Sequence, residues 1–492
     1  MKKTRLWIII GAIALVVVAI AVALIVDVST NKETVKRCEH SITYFYEDAA
    51  GSTRFFCDGK LLEHQIAGAV DSFLSCDGTV CIVRAATGLY RVDENEVLLI
   101  YPAGVERAAL SLDNSVIVFT TATMLHVYDH TTGELTDLQL EDLTGIPSIA
   151  VSNDGSTVAY TKKTKDGVYE LYSYINNESK KLKDGAYVLA VSKDAKRVWY
   201  MDPSDSSLYF MQNGHSKKAA ENVSGLVEFN RDLSEAVFDV SGETRFSNKG
   251  SKAAALVEGA SVYTTKPECA STQGGAEAAG SVADCSTLFN CVFYSTLTTS
   301  DSSGSEKAYN LYYINKLHHV KTLAKGTTGF SISSDGKTLG LLIDNDLYKM
   351  DSDEPATAVK LVDKTYSFRM TRDGKGFYAI GTGLGLYYVE QGTNAIQLAT
   401  NTTYCVLTLG GNCLFISDYG SDGGTLGIAK GHNPVSTVMD GVSMAEVKPG
   451  VVFCYSSVYE NEYGSSVYDV YTSTDGIEFT LALKGARRQN EE

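Results

Sequence analysis

The residues of this chain with the clearest chemical potential are aspartates that recur at 77, 113, 154, 194, 232, 335 and 373, each inside a short turn signal. The turns read Ser75-Cys-Asp-Gly78, Ser111-Leu-Asp-Asn114, Ser152-Asn-Asp-Gly155, Ser192-Lys-Asp-Ala195, Asn230-Arg-Asp-Leu233, Ser333-Ser-Asp-Gly336 and Thr371-Arg-Asp-Gly374. Carboxylates in such numbers are what an acid/base pair or a cation site would need. Their neighbours point elsewhere. Asp before Gly caps a tight turn through its own side chain, and one copy per repeat is what a repeated scaffold supplies. A calcium loop needs Asp or Asn at alternating positions, a Gly and a distal carboxylate. Asp344-Asn-Asp346, Asp351-Ser-Asp353-Glu354 and Asp418 to Asp422 hold only fragments of it, so neither a metal nor a cofactor is expected.

Other catalytic constellations are missing. The chain has no Gly-x-Ser-x-Gly elbow, no His-Glu-x-x-His and no phosphate-binding glycine loop. The one His pair, His318-His319, lies between Lys316 and Lys321 and reads as a surface loop. None of the ten cysteines shows Cys-x-x-Cys spacing, which disfavours zinc ribbons and thioredoxin-type chemistry. Cys76 and Cys81 flank the Asp77-Gly78 turn, and Cys405 and Cys413 flank Gly410-Gly411, so each pair is a candidate hairpin disulfide; buried free thiols are the alternative.

The elements that carry these residues repeat. Away from one long gap the aspartates are spaced 36, 41, 40, 38 and 38 residues apart. A second marker, Leu-Tyr or an aromatic variant, follows in step at Tyr90, His126, Tyr172, Tyr209, Phe246, Tyr348 and Tyr387. By the same template, units without the Asp turn fall around Phe55, Tyr312, Gly427 and Val470. Within Tyr187 to Lys218 the pattern is a meander of four short strands bounded by Asp, Asn and Gly turns. Past residue 30 no long 3.6-period stripe occurs. Four strands per roughly 40 residues is the blade of a β-propeller, so the expected fold is all-β, with ten or eleven blade-like units. That number exceeds an ordinary ring, and the irregular interval is rich in Ala, Gly and Ser between Ala270 and Ala283. Two rings in series are therefore expected, residues 38–260 and 291–485, joined by an insertion at 261–290 and followed by a tail at 486–492; one large ring is the alternative.

Ser152-Asn-Asp-Gly-Ser-Thr-Val-Ala-Tyr160 followed by Tyr169-Glu-Leu-Tyr172 resembles the repeats of TolB-like propellers and of the propeller domains that precede prolyl oligopeptidase-type hydrolases, in the manner of the WD40-like PD40 class. The resemblance covers most of the chain beyond residue 40 and implies blade geometry rather than an activity. The chain departs from the family in lacking Pro before Asp-Gly, and it lacks the Gly-His and Trp-Asp signatures of true WD40 repeats.

Ahead of the repeats, Leu6 to Val26 is 21 residues without a charge, enough as a helix to cross the roughly 30 Å of a bilayer core. Lys2, Lys3 and Arg5 precede it, which by the positive-inside rule puts residues 1–5 in the cytoplasm, 27–37 in a stalk and the body outside a plasma membrane. A cleaved signal peptide is the competing reading, with Ala19, Ala21 and Ala23 as small residues near a cleavage site. A net charge of -16 repels phosphate backbones, so nucleic acid is not an expected partner. The expectation is a non-catalytic binding or scaffold module for a protein, peptide or cell-envelope glycan. An enzyme of lyase or glycosidase type with its site at the channel mouth is the alternative, because carboxylates from different blades need not be adjacent in sequence.

Overall fold

The computed structural model describes residues 41–47, 49–75, 77–255, 280–282, 292–298, 308–314, 320–333, 337–352, 354–408, 410–462 and 464–487. Leu6–Val26, Cys76, Asp335, His318-His319 and most of the insertion at 261–290 lie outside them. Residues 38–492 make one compact unit by themselves. Among the described residues every regular element is a strand, and no helix is long and apolar enough to cross a membrane.

The strands form antiparallel meanders, the architecture of propeller blades. Blade 1 holds Ile42–Glu47, Ser52–Cys57 and Lys60–Ala67. Blades 2 to 6 begin at Val70, Arg107, Leu143, Tyr187 and Val223. The six-stranded sheet from Val292 to Val362 contributes blades 7 and 8, blade 9 begins at Thr365, and Thr402 to Arg487 contributes blades 10 and 11. The units expected around Phe55, Tyr312, Gly427 and Val470 are all present, each marker lying on the last strand but one of its blade.

Side-chain pattern explains the position of each strand within a blade. Second strands are packed on both faces by neighbouring blades and read as unbroken apolar runs: Val116–Thr120 and Gly376–Gly381 are buried at every residue. Outermost strands such as Glu178–Asp184 (ESKKLKD) and His215–Ala220 (HSKKAA) are mostly exposed, and their lysines discourage pairing of the free edge with another chain. Trp199, on the second strand of blade 5, is fully buried against Phe210 and Phe229 and donates its indole N–H to the Leu233 carbonyl at 2.9 Å. Removing a side chain of that size typically costs about 3–5 kcal/mol.

Passage from one blade to the next reverses the chain within a few residues, and among the described residues a left-handed residue sits at each such junction. These are Gly68, Gly104, Asp142, Gly185, Asn222, Lys364 and Asn401, and, inside the long strands that leave one blade and enter the next, Gly326, Gly441 and Gly485. Gly, Asn and Asp dominate because they tolerate positive φ.

Consecutive blades share cores. Cys81 and Val83 of blade 2 pack on Phe55 and Ile66 of blade 1, and Phe229 of blade 6 packs on Leu189 and Trp199 of blade 5. The chain ends meet in the same way: Phe45 and Phe56 of blade 1 pack on Phe453, Tyr455 and Val470 of blade 11. Tyr46 pairs with Arg487 and Glu47 with Ala486, so the last strand joins the sheet of the first blade.

Candidate functional site

Each aspartate turn is a local hydrogen-bond knot. In blade 4 the Ser152 hydroxyl donates to Asp154 Oδ1 at 2.9 Å, and the Ser156 amide and hydroxyl donate to the same oxygen at 3.2 and 2.7 Å. The Ser152 hydroxyl accepts in turn from the Thr157 amide at 3.0 Å. The same knot forms around Asp77, Asp113, Asp194, Asp232 and Asp373. Four residue types are thereby explained: a hydroxyl or amide at the first position, Asp at the third, Gly or another residue with positive φ at the fourth, and often Ser or Thr at the fifth. Gly155 has φ +70°, and a Cβ there would clash with Val116 of the preceding blade.

These knots are stitched to one another. Asn114 Nδ2 donates to Asp77 at 3.1 Å, the Asp113 amide to the Asn153 carbonyl at 3.1 Å, and the Ser156 and Thr157 hydroxyls to the Lys193 carbonyl. Arg197 donates to the Asp232 carbonyl at 2.7 Å and reaches its carboxylate at 3.3 Å. A collar of turns thus runs from blade 2 to blade 6. Asn153 then crosses the turn of blade 5 and donates to the Arg231 carbonyl of blade 6 at 2.6 Å.

Blades 4, 5 and 6 line a half-open cavity of about 600 Å³ at this collar, whose lining includes Asn153, Lys193, Lys196, Arg197, Asn213 and Arg231 together with Val191 and Leu233. Its three carboxylates are committed to their knots. Desolvation raises Asp194, but the Lys196 amide, the Ser192 hydroxyl and the Lys196 ammonium outweigh it and bring the group down to about 2. Asp154 and Asp232 are lowered in the same way, hydrogen bonds from Ser156 and Ser234 overcoming desolvation. All three are ionised acceptors near neutral pH, the wrong state for a general acid. Lys196 pairs with Asp194 at 3.1 Å and Arg197 with Asp232 at 3.3 Å, while the exposed Lys193 projects from the same rim. Asn153 Oδ1 is buried without a hydrogen-bond partner.

One constellation went unread in the sequence, where His126 appeared only as the aromatic marker of its repeat. His126 is fully buried, stacked on Phe119 at 4.7 Å and beside Tyr101 of blade 2. Its Nδ1 meets Asp137 at 2.7 Å and its Nε2 meets the Thr121 hydroxyl at 3.1 Å. Both ring nitrogens are satisfied, and the ring fills the seam between blades 2 and 3.

The cysteine candidates divide. Cys81 is a fully buried thiol, pushed up to about 12 by burial. Cys405 and Cys413 are brought together on neighbouring strands of one core and share a hydrogen bond, as free thiols. Their register is diagonal: Cys405 faces Phe415 and Cys413 faces Leu407. Of the acidic fragments, Asp346 pairs with Lys360 at 2.7 Å and Asp418 accepts from Asn401 at 2.8 Å. Among the described residues no group of three or more His, Cys, Asp or Glu could hold a metal ion.

No family model matches the chain, and no curated protein does. Solved structures similar to it include the tricorn protease, at 9% identity and a TM-score of 0.33, covering 88% of this chain and 57% of that one. A putative TolB from Agrobacterium tumefaciens is 12% identical with a TM-score of 0.29, covering 47% and 87%. An oligogalacturonate lyase in complex with manganese is 12% identical with a TM-score of 0.30, covering 72% and 98%. The chain therefore spans little more than half the length of the tricorn protease. At these identities the likeness carries no statement about activity.

Proposed function

We propose that residues 38–487 form a single-ring β-propeller that binds a polar ligand, a peptide or a cell-envelope glycan carrying an anionic group, at the collar of blades 4 to 6, without transforming it. The observation that carries this reading is the cavity itself. Side chains from three blades converge on it, its cationic rim is Lys193, Lys196, Arg197 and Arg231, and its carboxylates are all spent on holding the turns. A rigid scaffold that gathers side chains from several repeats is suited to recognition. The single ring is supported by the core shared between blades 1 and 11 and by the strand pairing of the chain ends.

Leu6–Val26 is the proposed anchor, with the propeller outside the plasma membrane; the support is the length and flanking charge of that segment. The test of function is titration calorimetry of residues 38–492 against acidic glycan fragments and acidic peptides, repeated with Lys193→Glu. A saturable ligand lost at least tenfold in the variant supports the proposal. Turnover of a glycan, or binding indifferent to Lys193→Glu, would replace it with the enzyme reading or with another surface.

A further inference from the structure

Blade 6 departs from the repeat at its inner edge. The first strands of successive blades approach one another, Arg107–Leu110 with Leu143–Val151 and Leu143–Val151 with Tyr187–Val191, which places first strands on the inner side of the ring. In blades 2 to 5, 9 and 10 that strand ends its sheet. In blade 6 the position is filled. Gly280–Val282, some fifty residues later in the chain, pairs with Val223–Phe229 in register Val227 to Gly280, Glu228 to Ser281 and Phe229 to Val282. This ladder is parallel, whereas every other ladder among the described residues is antiparallel. The added strand also touches Tyr187–Val191 of blade 5, so it lies beside the inner edges of two of the three blades that line the cavity.

Its place in the chain sets it apart from the meander of blade 6. It lies in the insertion, where the repeat period breaks. Around the pairing residues the sequence is Ala278-Ala279-Gly280-Ser281-Val282-Ala283. Val282 is level with Phe229, two residues before Arg231 of the cavity rim.

We infer that the inner edge of Val227–Phe229 is a binding site for an extended peptide strand, and that the chain's own Gly280–Val282 occupies it as an intramolecular ligand. Main-chain hydrogen bonds supply the affinity, as in strand addition generally. The inference deepens the binding reading by naming an extended segment as one ligand class, and it rests on that reading only in taking the inner side of the ring as the ligand side.

The test uses residues 38–492 with positions 270–286 replaced by a Gly/Ser linker of equal length, and a fluorescent peptide of residues 276–286 added in trans. The replaced protein is expected to bind the peptide saturably, at least tenfold tighter than the intact protein does, and to lose it when the peptide carries S281P and V282P. A replaced protein with unchanged circular dichroism and thermal unfolding that fails to bind would overturn the inference. Hydrogen exchange covers the case of poor folding: in the intact chain with S281P and V282P, the amides of Val227–Phe229 that point away from Glu235–Val240 should exchange at least tenfold faster, and unchanged exchange there also overturns it. Neither readout involves the Lys193 rim, so loss of the calorimetric ligand with retention of the trans peptide would count against the cavity reading alone.

Discussion

Asn153 Nδ2 donates a 2.6 Å hydrogen bond to the carbonyl of Arg231, joining the turns of blades 4 and 6 across that of blade 5. Those residues are 78 positions apart, and no feature near either of them announces the contact. It ties together two residues that both line the cavity.

Asn153→Ala should therefore cost about 1 kcal/mol, the usual net worth of such a bond. Asn153→Asp keeps the shape but sets a carboxylate against a carbonyl and should be worse than alanine. Urea unfolding of the two variants checks the order.

Gly155→Ala combines positive φ with a Cβ that meets Val116 of the preceding blade. A loss of about 2–3 kcal/mol is expected, part from overpacking and part from the left-handed backbone. Val116→Ala in the same chain should recover the steric part only. A double-mutant cycle by chemical denaturation measures the recovery.

Ala195 and Leu233 hold the equivalent turn position at φ 51° and 59°, where glycine is easier. Ala195→Gly should stabilise by roughly 0.5–1 kcal/mol. Leu233→Gly should destabilise by about 2–4 kcal/mol, because Leu233 is buried in the core shared with Trp199. Opposite signs at one repeat position, read from midpoint shifts, would separate backbone strain from packing.

The knots also set a pH response. Asp77, Asp154, Asp194, Asp232 and Asp373 are all lowered, with Asp194 at about 2. A carboxylate lowered by folding contributes stability that is present above its unfolded value of about 4 and is lost as pH falls through the folded value. Stability should be flat above about pH 5 and fall between about pH 4 and pH 2. Asp194→Asn should flatten part of that slope, as followed by thermal unfolding across the range.

Burial pushes the thiols of Cys81 and Cys454 up to about 12 and that of Cys57 up to about 11. They should resist alkylation in the folded protein and react at the rate of unfolding. Peptide mapping without reduction then reports on Cys405 and Cys413 directly. Alkylation of both on unfolding is the outcome expected for the thiol pair seen here, and a 405–413 linked peptide would instead restore the hairpin disulfide.

Much of the blade was legible because its signals act within a few residues. Ser152, Asp154 and Ser156 bond one another across four positions, so their spacing is readable in any one copy and confirmed by the next. The meander of blade 5 follows the expected strands at Tyr187–Val191, Arg197–Asp202 and Ser207–Gln212. The junction residues Asp142, Asn222, Lys364 and Asn401 keep the same period but went unread, since only their backbone angles mark them. His126 was hidden for a related reason: one aromatic position tolerates an imidazole, and its partners Asp137 and Thr121 show their roles only once the strands pair.

The sequence by itself determined the all-β class, the repeating blade and the structural duty of the aspartates, all of which follow from short-range hydrogen bonding and apolar periodicity. The tertiary structure decided how those units meet: Phe45 against Phe453, Asn153 against Arg231, and Gly280–Val282 against Val227–Phe229. Such contacts join residues from about fifty to over four hundred positions apart. Their partners are chosen by how the assembled blades meet, and no local pattern of residue types encodes that geometry.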